Sequence, residues 1–276
     1  MNPLKVKEAL RQFLIEDLGD GDVSSNGIFS HSDRGEAVIT AKENGIFSGE
    51  MVLKIVFSML DGQAGIRIFK RDGEQVEKGE AVAIISGSIP SILGAERTGL
   101  NLIQRMSGIA TATRNAILLL DSPETLICDT RKTAPGLRMF DKYAVKCGGG
   151  RSHRNGLYDA VMIKDNHISF AGSIRKAVSK VKNRIGHTVK IEVEVETESQ
   201  LLEAIEAGAD IIMFDNRSPE EIKRFAEMTP SSIITEASGG ITPENLHKYK
   251  GTGVNFISLG YLTHSVKALD FSLLMK

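Results

Sequence analysis

The sequence predicts an α/β protein whose second half is a barrel of parallel strands. Three observations carry the prediction. From residue 125 onward, short β-branched runs alternate with helical segments, the pattern of strand–helix–strand units. Six such runs occur without a Rossmann glycine signature, which favours a closed barrel over an open sheet. The polar residues of the runs also collect at their C-terminal ends, the rim where such barrels build their sites.

The strands are expected at Thr125–Asp129, Ala160–Lys164, Val189–Val195, Asp210–Asp215, Ser232–Ala237 and Val254–Leu259. Helices are expected between them at Ser173–Asn183, Ser199–Ala207, Pro219–Met228 and Pro243–Tyr249. The first half is more mixed. Leu4, Leu10, Phe13, Leu14 and Leu18 recur at near-helical spacing over Pro3–Asp17, which stops in a turn-rich Gly19–Asp22. Glu36–Ala41 and Gly65–Phe69 read as strands and Met51–Leu60 as a helix. Asp72-Gly73 and Lys78-Gly79 mark turns, and Glu96–Leu120 reads as a long helix with a candidate break near Gly108.

Lys plus Arg number 34 against 35 Asp plus Glu, a net charge of -1 that argues against nucleic acid as the main partner. Cys128 and Cys147 lack both metal-ligand and disulfide-framework spacing and read as small apolar residues. The first residues lack a signal-peptide apolar run, and no stretch approaches the ~20 apolar residues that span a bilayer. A cytoplasmic location without membrane attachment is the expectation.

The chemistry concentrates at the expected strand ends. Lys190, Glu192, Glu194 and Glu196 alternate with Ile191, Val193 and Val195, so one face is apolar and the other points acids into the barrel. An exposed antiparallel strand would alternate in the same way. Buried carboxylates need cations, and Lys132, Lys164, Lys190 or a bound Mg²⁺ are the candidates. Between Asp129 and Lys164 lie eight Lys or Arg (Arg131, Lys132, Arg138, Lys142, Lys146, Arg151, Arg154 and Lys164) against three Asp. Arginine forks suit carboxylates and phosphates. Ser238-Gly239-Gly240 before Thr242-Pro243-Glu244, and Ser258-Leu259-Gly260 after the last strand, are glycine turns suited to phosphate. Among the histidines, His153 ranks above His167 and His264. Walker A, HExxH and GxSxG motifs are absent.

Asp129-Thr130-Arg131-Lys132-Thr133-Ala134-Pro135-Gly136-Leu137-Arg138 resembles a signature of the quinolinate phosphoribosyltransferase family. Lys142-Tyr143-Ala144-Val145, the glycine triplet before His153-Arg154, and Ile163-Lys164-Asp165-Asn166-His167 are similar to the same family. So are Glu96-Arg97-Thr98, Leu100-Asn101-Leu102, Ser107–Thr111, Glu16–Gly19 and Gly21-Asp22. The resemblance covers almost the whole chain. One departure is Ser152, where Asn often precedes the His-Arg pair.

The resemblance implies an N-terminal α/β sandwich domain plus a C-terminal open α/β barrel, type II phosphoribosyltransferase-like. The expected domains are residues 1–105, with the tail 265–276 a candidate addition, and residues 106–264. It implies transfer of phosphoribosyl from phosphoribosyl pyrophosphate to quinolinate with decarboxylation, in NAD synthesis, with Mg²⁺ as cofactor. Arg131, His153, Arg154 and Lys164 would supply cations to quinolinate. Lys132 would lie between the substrates, alongside Thr130. Glu194 and Asp215 would meet the ribose hydroxyls and Mg²⁺. Ser238, Gly239, Gly240, Ser258, Leu259 and Gly260 would hold phosphate. Arg97 would reach the site of a neighbouring subunit, which implies a homo-oligomer, at least a dimer.

Three other readings remain at this point. One is a related barrel pyrophosphorylase linked to molybdenum uptake. The second is a Schiff-base lyase with Lys164 as nucleophile. In the third, the turn pattern of Asp72–Ser88 resembles lipoyl or biotinyl carriers, although Lys78 is not on a carrier-type hairpin.

Overall fold

A computed structural model describes residues 1–276, and the chain divides into two compact units. The first comprises Met1–Arg114, Thr133–Gly149 and Leu262–Lys276; the second comprises Asn115–Lys132 and Gly150–Tyr261. The division is discontinuous in sequence: besides the tail, whose residues 265–276 were a candidate addition, residues 133–149 also join the first unit.

In the first unit α1 (Pro3–Leu18) and α2 (Val23–Ile28) precede β1 (Arg34–Ala41), β2 (Gly45–Ile46) and α3 (Glu50–Leu60). Then come β3 (Gly65–Ile68), β4 (Gln75–Val76), β5 (Ala81–Ser88) and the long helix α4 (Ile89–Leu120), whose residues from Asn115 onward belong to the second unit. Asn2 caps α1 by accepting the Leu4 N–H, and the helix buries Val6, Leu10 and Leu14, one apolar stripe. β1 turns Ala37, Ile39 and Ala41 inward at the two-residue period of a half-buried strand.

Two features differ from expectation. α4 begins seven residues before Glu96 and runs unbroken through Gly108. A side chain at Gly108 would collide with the carbonyl of Lys267, so this glycine admits a close backbone approach and does not break the helix. The approaching segment leads into β12 (Phe271–Met275), which pairs antiparallel with β1 and completes a four-stranded sheet in the order β12-β1-β5-β3. Local pattern could not reveal that pairing, because its partner lies more than 200 residues away.

The second unit contains β6 (Leu126–Cys128). The chain then enters α5 (Arg138–Cys147) of the first unit and returns for β7 (Val161–Ile163). α6 (Asp165–Ala171), α7 (Ile174–Lys182), β8 (Ile191–Val195), α8 (Glu198–Ala207), β9 (Ile211–Asp215), α9 (Pro219–Met228) and β10 (Ile234–Ser238) follow. β11 (Phe256–Ser258) and, in the first unit, the single turn α10 (Tyr261–His264) come last before β12. All six expected strands form, as one parallel sheet in the order β6-β11-β10-β9-β8-β7. An isolated parallel bridge from Arg151 to Cys128 extends the β6 edge. No ladder joins β6 to β7, so the ring that periodicity suggested as closed is open, as the family resemblance implied.

The strand-to-helix turns are held by caps. Thr197 with Gln200, and Ser218 with Glu221, form reciprocal capping boxes at α8 and α9, and Pro219 occupies the first turn of α9. Phe214 on β9 packs edge-on against Phe225 of α9 at 5.6 Å. The outward face of β9 is thereby committed to the helix layer, which aims its alternate residues Met213 and Asp215 the other way. The expected helix Pro243–Tyr249 shrinks to a 3-10 turn, Leu246–Tyr249. The Asn245 side chain accepts the Thr242 N–H at 2.8 Å and donates to the Gly240 carbonyl at 2.9 Å, replacing the first helical turn.

Candidate active site

A cavity of ≈ 470 Å³ opens at the C-terminal ends of the parallel strands, a volume in the usual range for a small-molecule site. Thr130, Arg131, Lys132, His153, Arg154, Lys164, Glu194, Asp215, Ser238, Gly239, Gly240 and Ser258 all line it. Met162, Met213 and Asn216, none of them among the expected site residues, line it too. The two methionines were accessible to the alternation argument, since each lies two residues before a lining residue.

Lys164 ends β7 and Glu194 lies on β8. The Lys164 ammonium is 2.5 Å from the Glu194 carboxylate. Burial pushes the Glu194 carboxyl up, Lys164 pulls it down, and Asp215 and Asp165 push it up again. Two acids therefore share the mouth of the cavity. Asp215 accepts a hydrogen bond from the Asn216 amide at 2.7 Å, and Asn216 has a φ of 53°, a left-handed conformation that asparagine tolerates. Gly239 follows β10 with φ 87°, and a side chain there would overlap the Asn216 amide. The turn thus needs glycine on two counts and leaves the Ser238–Gly240 backbone on the cavity wall.

Arg131 and Arg154 form the cationic side. Burial, and then the nearby Arg131, push the Arg154 guanidinium below its ordinary range. The Arg131 Nε is buried without a hydrogen-bond partner. Two guanidiniums in mutual repulsion, one with an unmet donor, form a site shaped for an anion.

Beneath them, buried Asp129 accepts from the Ser152 hydroxyl and from the His153 N–H, each at 2.9 Å. Ser152, the departure from the family pattern, is thus a partner of Asp129. Asp129 itself is a buried anchor of the loop, not a rim residue. The His153 Nε2 faces buried Glu192 and Glu236 at 3.0 and 3.6 Å, and its Nδ1 accepts the Arg154 N–H at 2.8 Å.

Several expectations are corrected. Leu259 is fully buried and its N–H donates to the Cys128 carbonyl at 3.0 Å, so it extends the β6–β11 pairing and does not line the cavity. Gly260 also lies outside the lining. Arg138, Lys142 and Lys146 belong to α5 in the first unit, so the basic run serves two places. Lys190 and Glu196 are exposed at opposite ends of β8, so Lys190 does not neutralise the buried acids. Arg97 lies in the first unit, 61% exposed, beside a different cavity of ≈ 550 Å³ shared with Glu16, Asp17, Asn101 and Arg105. His167 closes the start of α6 by accepting the Lys164 N–H at 3.0 Å. Cys147 is only partly buried.

The open parallel barrel, with guanidiniums opposed to paired acids and a glycine turn, defines an α/β-barrel enzyme for phosphorylated and carboxylated substrates. Residues 22–107 match the family described as quinolinate phosphoribosyl transferase, N-terminal domain, and residues 109–274 match its C-terminal domain. A probable nicotinate-nucleotide pyrophosphorylase [carboxylating] of Bacillus subtilis is 55% identical over 99% of this chain and 94% of its own length. The chloroplastic nicotinate-nucleotide pyrophosphorylase [carboxylating] of Arabidopsis thaliana is 42% identical over 97% of this chain and 82% of its own. The crystal structure of NadC from Streptococcus pyogenes superposes with a TM-score of 0.96 at 38% identity, covering 100% of this chain and 98% of that one. The chain belongs to the quinolinate phosphoribosyltransferase family.

Proposed function

We propose that the barrel cavity joins quinolinate to phosphoribosyl pyrophosphate, giving nicotinate mononucleotide, pyrophosphate and CO2 for NAD synthesis. The observation that carries this reading is the crowded Arg131–Arg154 pair with its unpartnered buried donor, opposite the Glu194–Asp215 acids. A dicarboxylate satisfies the first cluster, and ribose hydroxyls suit the second.

In this reading Arg131, Arg154 and Lys164 orient the two quinolinate carboxylates, while Thr130 and Lys132 sit between the substrates. The Ser238–Gly240 turn and Ser258 receive phosphate. The ring nitrogen attacks the ribose C1 and the bond to pyrophosphate breaks. Positive charge develops on the sugar, where Glu194 and Asp215 stabilise it electrostatically. The nitrogen becomes cationic and stabilises the electron pair left on the adjacent ring carbon when that carbon's carboxylate departs as CO2, and the same carbon then takes up a proton. Two carboxylates held close in a partly buried mouth also fit Mg²⁺, a hard ion that takes oxygen ligands. Glu194 and Asp215 would hold it, and when bound it neutralises pyrophosphate charge.

The exposed Arg97 supports a homo-oligomer, at least a dimer, in which this guanidinium completes the cavity of another subunit. Two free cysteines agree with a cytoplasmic location. No helix is long and apolar enough to cross a membrane. The deciding assay is CO2 release from quinolinate with phosphoribosyl pyrophosphate and Mg²⁺. Nicotinate, which lacks the second carboxylate, is the control. Turnover of nicotinate in place of quinolinate would sink the assignment.

A further inference from the structure

Beneath the cationic pocket lies a buried acid pair that the reaction as drawn does not use. Glu192 and Glu236 are 2% and 4% exposed and lie on β8 and β10, the two neighbours of β9. Both approach the same atom, the Nε2 of His153, at 3.0 and 3.6 Å. By ligand type the trio could hold a metal ion, since one ligand atom from each lies within 4.8 Å of the others.

The second ring nitrogen decides between a metal and a proton. Nδ1 faces a donor, the main-chain N–H of Arg154 at 2.8 Å. It must therefore offer a lone pair there. A histidine that ligates a metal through Nε2 carries its proton on Nδ1 and donates it outward, the reverse of this arrangement. An imidazolium would likewise set one N–H against another. The remaining form is the neutral ring with its proton on Nε2, donated to Glu192. Burial pushes the Glu236 carboxyl up to about 7, and the nearby Glu192 adds to the effect.

We propose that Glu192 is a positioning residue. It fixes His153 as the neutral Nε2–H tautomer, whose Nδ1 then holds the Arg154 main chain and, through it, the direction of the Arg154 guanidinium. His153 in this account shapes the cationic pocket and brings no charge of its own to the substrate. The proposal rests on Arg154 being a ligand of the dicarboxylate.

The direct test is nitrogen NMR of the free wild-type protein with labelled histidine, the His153 signals being identified by their loss in His153→Asn. The expected result is a protonated Nε2 and an unprotonated Nδ1 at neutral pH. Two protonated nitrogens, or a signal displaced by added Mn²⁺ or Zn²⁺ at that ring, would overturn the proposal. Kinetics give a second readout. Glu192→Gln retains an acceptor for Nε2–H and should keep the tautomer and a quinolinate KM within about twofold of wild type. Glu192→Leu removes the acceptor and should raise that KM about tenfold, the scale of one lost hydrogen bond, with little change for phosphoribosyl pyrophosphate. Equal damage to both substrates, or from both variants, would mean a general packing role. The spectrum is read without substrate, so it stands apart from whether wild type releases CO2 from quinolinate.

Discussion

At the residue scale, the site separates charge by depth. Lys164 and Glu194 pair near the mouth, while Arg131 and Arg154 repel one another and the Arg131 Nε is buried without a hydrogen-bond partner. Arg154→Ala should therefore abolish most quinolinate binding and spare most phosphoribosyl pyrophosphate binding. Calorimetry with each substrate checks this, and equal loss of both would refute the division. Glu236 makes a second residue-scale prediction. Its carboxyl lies above its ordinary value of 4.5, at about 7. A raised acid contributes stability that is complete below its unfolded value and is lost as pH rises through the folded one. The melting temperature of wild type should accordingly fall relative to Glu236→Gln as pH rises from 4.5 past about 7. Parallel melting curves across that range would contradict the assignment.

At the element scale, the strand-to-helix turns place each functional side chain, and their glycines are needed for stated reasons. Gly239→Ala would force a side chain into the Asn216 amide at a φ of 87°. It should weaken phosphoribosyl pyrophosphate binding more than quinolinate binding, as read by the two KM values. Gly108 matters differently. Gly108→Ala would push against the Lys267 carbonyl and the segment leading to β12. Overpacking of this kind costs about 1–3 kcal/mol, so chemical denaturation should show lower stability while both KM values stay near wild type. The caps at α8 and α9, Thr197 with Gln200 and Ser218 with Glu221, are local interactions that start each helix a few residues after its strand. The Pro243 segment carried a similar signal. There the Asn245 side chain took the Thr242 N–H first, and only a 3-10 turn formed.

At the scale of the whole molecule, Arg97 is the outlying member of the expected site. It lies in the first unit beside its own cavity. If it serves a neighbouring subunit, Arg97→Ala and Lys164→Ala should each be inactive alone. Mixed and reassembled, they should recover part of the wild-type activity, because one site in a mixed dimer would have both residues intact. No recovery in proven mixed oligomers would place Arg97 outside the site.

The sequence by itself determined the six parallel strands, the rim that carries the charge, and the family. These depend on periodicity, on which residues end a strand, and on long contiguous motifs, all of which are local along the chain. Only the tertiary structure decided the return of residues 133–149 to the first unit and the pairing of β12 with β1. It also decided that Asp129, Glu192 and Glu236 lie beneath the site while Leu259 belongs to the sheet. A strand pattern specifies which face a side chain occupies. It does not specify how deep that side chain sits or which distant group meets it, and for a buried acid those two facts set both its charge and its role.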